Sequence, residues 1–157
     1  MHKQRSSRMC FVCGRQNPVG LKLKFYEDAD SREVRVDFTV SDAYQGYPGV
    51  VHGGIVSAIL DEVSGRAVMM GENEERLMAT LRLTVRFRRP TPTETPLTAV
   101  GWVRQIGGIG AKVAGEIRLA DGSVTADCES LLTDPPEEFR ERWQDEKPYW
   151  RVQKEGN

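Results

Sequence analysis

Cysteine is scarce in this chain: Cys10, Cys13 and Cys128 are the three among 157 residues. So small and odd a set builds no disulfide framework and points to a reducing compartment. Histidine is scarcer, with only His2 and His52, so no histidine-rich metal cage can be assembled. An excess of one charge is missing too. The 22 Lys and Arg oppose 23 Asp and Glu for a formal net charge of -1, which leaves no basic surplus to hold nucleic acid. No apolar run approaches the ~18 residues of a membrane span. The opening residues Met1, His2, Lys3, Gln4 and Arg5 are polar and no hydrophobic segment follows them, unlike a secretory leader. The expectation is a cytoplasmic protein with neither nucleic acid nor membrane as partner.

What is present fits one domain, since 157 residues at 39% hydrophobic content fill a single core. Residues 1–9 are polar and basic and are expected to be disordered. A turn-rich stretch follows over residues 10–20. Strand-like alternation then runs through Leu21, Leu23 and Phe25, and through Val34, Val36, Phe38 and Val40. Residues 44–54 hold Gly or Pro at five of eleven positions and form a shaped loop. One helix is expected from about Ile55 to Met70, ended by Gly71. At 100° per residue, Ile55, Ile59, Met70, Val63, Val56, Ala67 and Leu60 share one arc, which is its core face. Four alternating runs come next: residues 81–87, 97–106, 109–119 and 124–132, separated by turns at Pro90-Thr91-Pro92, Gly107-Gly108 and Asp121-Gly122. The expected domain covers residues 10–134. Residues 135–157 form a polar tail with room for a short helix. Strands, one long helix and further strands make an α+β domain in which a curved antiparallel sheet wraps a single helix.

The chemistry gathers on that helix. His52-Gly53-Gly54 opens it, where first-turn N–H groups point outward and the helix dipole favours negative charge. A carbonyl oxygen gaining charge in a reaction suits that position; a tight loop-to-helix turn is the plain alternative. Asp61 and Glu62 lie within the helix. Glu62 has a partner in Arg66 four residues on, at the edge of the core arc. Asp61 has none, and its helix neighbours Gly54, Ser57, Ala58, Ser64, Gly65 and Val68 are small or medium-sized. Either Asp61 faces solvent, or a ligand or second chain packs closely there. Gly53 and Asp61 are eight residues apart, ~12 Å along the axis. A base and an oxyanion donor must each lie within ~3 Å of one reacting centre. If both act on one carbonyl, they come from different subunits.

His52-Gly53-Gly54 with an acid nine residues after the His resembles the hotdog-fold thioesterases, particularly the PaaI-like branch. The likeness runs from about Cys10 to Thr133, and its most specific stretch spans residues 44–54 through Leu60-Asp61-Glu62. Met78-Ala79-Thr80 and Phe87-Arg88-Arg89-Pro90 match that family's next strand. The resemblance implies an acyl-CoA thioesterase acting on a medium-sized acyl or aryl thioester, without a cofactor. It implies a homo-oligomer, a dimer or dimer of dimers, with active sites at subunit boundaries. Gly53 would donate its N–H to the thioester carbonyl, Asp61 would act as base or nucleophile, and His52 would shape the loop. Thr80 would help position water, although its alternation with Arg82 and Thr84 requires a local bend. Gly46 stands where several relatives carry Asn, and Gln45 takes that role if the loop shifts by one residue. Gly54 would join the substrate contacts. Arg88 and Arg89 are the favoured CoA-phosphate ligands, with Arg86 and Lys112 as further candidates; a solvated sheet face is the alternative reading of the run. A hotdog hydratase or dehydratase and a non-catalytic acyl-CoA-binding protein are the rival functions.

Cys10-Phe11-Val12-Cys13 has zinc-ligand spacing, but a structural site takes four ligands. Cys128 lies on an expected strand and the histidines lie elsewhere. The pair is therefore expected to build a compact turn, with no metal.

Overall fold

The computed structural model describes residues 1–73 and 75–154. The described residues form seven strands: β1 (His2–Lys3), β2 (Tyr26–Asp28), β3 (Glu33–Phe38), β4 (Ala79–Phe87), β5 (Leu97–Ile106), β6 (Gly110–Arg118) and β7 (Val124–Thr133). They form one antiparallel sheet in the order β1-β2-β3-β5-β6-β7-β4. In β3 the period-two pattern is plain, with Val34, Val36 and Phe38 buried and Arg35 and Asp37 outside.

The sheet wraps α1 (Gly53–Gly65), which a 3-10 turn over Arg66–Met69 extends. Gly71 follows at φ 64°, a left-handed conformation that glycine adopts without strain. The expected helix thus ends where Gly71 indicated, but its last turn tightens and its first residue is Gly53. Val56, Ile59, Leu60 and Val63 lie fully buried against Phe25, Val36, Ala99 and Ile117. Ile55 and Met70 pack at the margin of that core. The helix approaches β5 closely at Gly101, where an added Cβ would lie 2.6 Å from the Val63 carbonyl carbon.

Two expectations change. Residues 1–9 are ordered: β1 pairs with β2, Ser6 bridges to Arg151, and Gln4, Ser6 and Ser7 are buried. One anchor is Arg66, which lies within the core at 2% exposure rather than at its edge. Its guanidinium donates to Glu62 at 2.8 Å, to the Arg5 carbonyl at 2.9 Å and to Gln4 at 3.4 Å. It also sits over the rings of Phe25 and Trp150. A buried cation requires such partners, and the N-terminal segment supplies them. In the tail, α2 (Glu137–Glu146) carries Phe139 and Trp143 stacked at 6.4 Å, with Trp150 edge-on to Trp143.

Candidate active site

His52 caps α1. Its Nδ1 accepts the Gly54 N–H at 2.9 Å, as a good N-cap side chain does, and its carbonyl accepts from Ile55 and Val56. The Gly53 N–H is left without an acceptor among the described residues. With Nδ1 engaged as acceptor, neutral His52 carries its proton on Nε2 and works as a loop brace.

Gly53 faces an open, mostly apolar groove of about 720 Å3, walled by Tyr47, Val50, Val56, Phe87 and Pro90. Phe87 closes onto Gly53: a Cβ there would lie 3.4 Å from the ring. Arg88 and Arg89 stand at the same groove, so the structure brings both to Gly53. Their backbone N–H groups are held by the Thr125 carbonyl at 2.8 and 3.1 Å. The Arg88 side chain is ion-paired with Asp127. Arg86 lies in an adjoining surface hollow with Arg104 and Trp102, which Arg88 and Asp127 also line. Lys112 on β6 pairs with Leu131 of β7, remote from the groove end of β7 where Ala126 meets Phe87.

Asp61 is half-buried, and Thr80 donates to its Oδ1 at 2.7 Å. Burial raises the Asp61 carboxyl above the ordinary range; the Thr80 bond opposes this and neighbouring Glu62 adds to it. The bend that Thr80 requires is present as a register shift between Thr80 and Arg82 on β4. This bulge turns Thr80 toward the helix although the simple alternation does not. Of the small residues around Asp61, Ser64 is fully buried and Ser57 bonds back to the Gly53 carbonyl at 2.8 Å. Gln45 turns onto its own loop, accepting the Gly49 N–H at 3.4 Å, and Gly46 lies against His52.

Asp61 and Gly53 share one rigid helix with ~12 Å of axial rise between them. One chain does not focus both on a single atom. β4, which carries Thr80, pairs with β7 on one side only among the described residues. Its Leu81 and Phe87 are 70% and 57% exposed.

A model of the thioesterase superfamily matches residues 48–126, a span that opens in the glycine loop and holds α1 and β4 to β6. The chain belongs to the thioesterase superfamily. Among solved structures of this superfamily, protein RHA08564 is 35% identical with a TM-score of 0.72, over 80% of this chain and 63% of that one. The chain thus spans less than two thirds of that relative's length. The PaaI protein of the E. coli phenylacetic acid degradation operon matches at 19% identity and TM-score 0.62, over 72% of this chain and 83% of its own. A Streptococcus pneumoniae thioesterase protein solved with coenzyme A matches at 20% identity and TM-score 0.59, over 64% and 77%. The α+β architecture is the hotdog fold of these thioesterases. Sequence reasoning missed Phe87 and Tyr47 as groove walls. Phe87 closes an alternating run and reads as core from pattern alone, whereas Tyr47 sits in the glycine-rich loop and is 83% exposed. Among the described residues no helix is long and apolar enough to cross a membrane.

Proposed function

We propose that this protein is a thioesterase that hydrolyses medium-sized acyl or aryl CoA esters, and that its active site is shared between two copies of the chain. The observation that carries the reading is the Gly53 N–H, the one first-turn amide of Gly53, Gly54, Ile55 and Val56 left free, on a residue that lines an apolar groove. Donors of this kind lower the barrier to acyl transfer by ~2.7–4 kcal/mol. The half-buried carboxyl of Asp61, with its proton affinity raised, supplies the complementary base.

The unpaired edge of β4 supports the assembly. A second copy adding antiparallel along that edge continues the sheet and covers Leu81 and Phe87. Two helices meeting across the new boundary bring Gly53 of one subunit toward Asp61 of the other. The acyl group lies along Phe87 and Val56, and Arg88 and Arg89 face the CoA phosphates. Water attacks the carbonyl carbon as Asp61 takes its proton, and the oxyanion forms against Gly53 N–H. The C–S bond then breaks. A thiolate whose conjugate acid has pKa near ~8.5 departs with little acid assistance. Thr80 holds the carboxylate, and Gln45 braces the glycine loop. A hydratase would need an imidazole free to carry protons, and His52 spends Nδ1 on its cap.

Thiol release from a panel of short, medium and long aliphatic and aryl CoA esters tests the reading. Asp61→Asn is expected to lower turnover by ~10²–10⁴-fold, the usual contribution of general-base catalysis, with unchanged assembly by light scattering. No thiol from any ester, or undiminished turnover in Asp61→Asn, would overturn it. After a single turnover in isotopically labelled water, label recovered on Asp61 identifies attack by the carboxylate itself through an acyl–aspartyl anhydride opened at the aspartyl carbonyl. The location is proposed to be cytoplasmic, in keeping with three free cysteines.

A further inference from the structure

Cys10, Cys13 and Glu62 meet behind α1, away from the groove, although 52 residues separate Cys10 from Glu62. The two sulfurs and a carboxylate oxygen all lie within 4.8 Å of one another. Cys10 Sγ is 3.9 Å from Glu62 Oε2. The turn aims the backbone N–H groups of Val12 and Cys13 at Cys10 Sγ, at 3.3 and 3.5 Å. In the metal-free chain the hydrogen bond to Cys13, burial and nearby Glu62 push the Cys10 thiol up, so Cys10 keeps its proton until an ion displaces it. Sequence reasoning set a metal aside because it counted only cysteine and histidine; the fold supplies a carboxylate.

The second observation is Arg66. Its guanidinium is fully buried beside Cys13, and Nη2 has no acceptor among the described residues. This buried cation is turned toward Cys13 and is favoured by negative charge there as well as on Glu62, so thiolate at the turn suits it. Two thiolates and one carboxylate carry three negative charges. A divalent cation and Arg66 carry three positive ones, so the loaded cluster is neutral. Donor spacing also suits a small ion. Metal–sulfur bonds of ~2.3 Å set tetrahedral corners ~3.7 Å apart, within reach of small side-chain rotations. Cys10 and Glu62 are only partly buried, leaving solvent access for a fourth ligand.

We propose that Cys10, Cys13 and Glu62 form a binding site for a thiophilic divalent cation of the zinc class, with water completing the tetrahedron. Loading releases the two thiol protons. Glu62 keeps Oε1 on Arg66 and turns Oε2 to the ion. The ion then pins the N-terminal turn to α1 one residue from Asp61. A Cys10–Cys13 disulfide fits the same atoms less well, since Cys13 is 3% exposed and Glu62 would have no part in it.

The full chain, stripped with a chelator under reducing conditions, is titrated with Zn2+ or Co2+ against a chromophoric competitor. One equivalent per chain is expected, with Co2+ giving a sulfur-to-cobalt charge-transfer band and tetrahedral d–d bands. Cys10→Ser and Cys13→Ser are expected to weaken binding at least ~100-fold, and Glu62→Gln at least ~10-fold. Cys128→Ala and Asp61→Asn bind as the parent does, so this site stands or falls separately from the thioester reading. Sub-stoichiometric binding, a cobalt spectrum without the thiolate band, or undiminished affinity in Cys10→Ser or Glu62→Gln would overturn the proposal. The parent protein's cobalt spectrum decides the matter even where a cysteine variant fails to fold.

Discussion

Replacing Thr80 with valine removes one hydrogen bond from Asp61 while keeping the shape of the side chain. The Thr80 hydroxyl donates to Oδ1 at 2.7 Å and so stabilises the ionised carboxylate against the burial that disfavours it. Hydrogen bonds to charged groups contribute ~1.5–3 kcal/mol. Asp61 is only half-buried and solvent replaces part of the loss, so the low end applies, ~1.5 kcal/mol, or about one pH unit. The direction follows from the charge. Asp61 acts as carboxylate, activity falls as it protonates, and loss of a donor to the charged form raises its pKa. The acid limb of kcat/KM for thioester hydrolysis therefore moves to higher pH by about one unit in Thr80→Val, with turnover well above the limb changed far less. Stopped-flow thiol detection across the limb measures it. A limb that stays put, or moves to lower pH, refutes the assignment of Asp61 as the ionising base held by Thr80.

Asp61→Asn is expected to raise the thermal midpoint at neutral pH, because the raised carboxyl pKa means that ionised Asp61 costs stability in the folded state. The folded chain holds that proton more tightly than the unfolded one, so the two proteins' midpoints converge in acid, below the unfolded Asp pKa; calorimetry over a pH series reads this. Gly101→Ala sets a Cβ against the Val63 carbonyl and is expected to destabilise the chain by about 3 kcal/mol in urea unfolding. Arg89→Ala is expected to raise KM for acyl-CoA several-fold more than Arg88→Ala, whose guanidinium is already committed to Asp127. The difference should vanish for a thioester lacking the nucleotide.

The helix was legible because its apolar arc repeats at 3.6 residues and Gly71 marks its end. The four later strands followed from period-two alternation, and β5 runs over the residues expected, Leu97–Ile106. Asp61 stood out as an acid among small neighbours, and that pattern needs no coordinates. The order of residues 1–9 was not legible, since Gln4 and the Arg5 carbonyl answer a charge some sixty residues away, while Ser6 pairs with Arg151 and Ser7 with the cysteine turn. Arg66 itself read as an edge residue because a 3.6-residue pattern cannot report which cations are enclosed. The Thr80 bulge is likewise a property of β4 against β7, where one strand spends an extra residue. Glu62 joined the cysteine turn only through tertiary packing.

Gly101 lets α1 rest directly on the backbone of β5, with Val63 wedged above Gly115 as well. A helix seated so low has no slack to slide or roll. The distance from its opening amide to its mid-helix acid is therefore the same whatever molecule arrives. Adjustment to different acyl groups must come from the walls instead, from Tyr47, Val50 and Phe87, whose replacement leaves the seat of the helix untouched. Relatives with other substrate tastes should differ at those walls and keep a small residue beneath the helix.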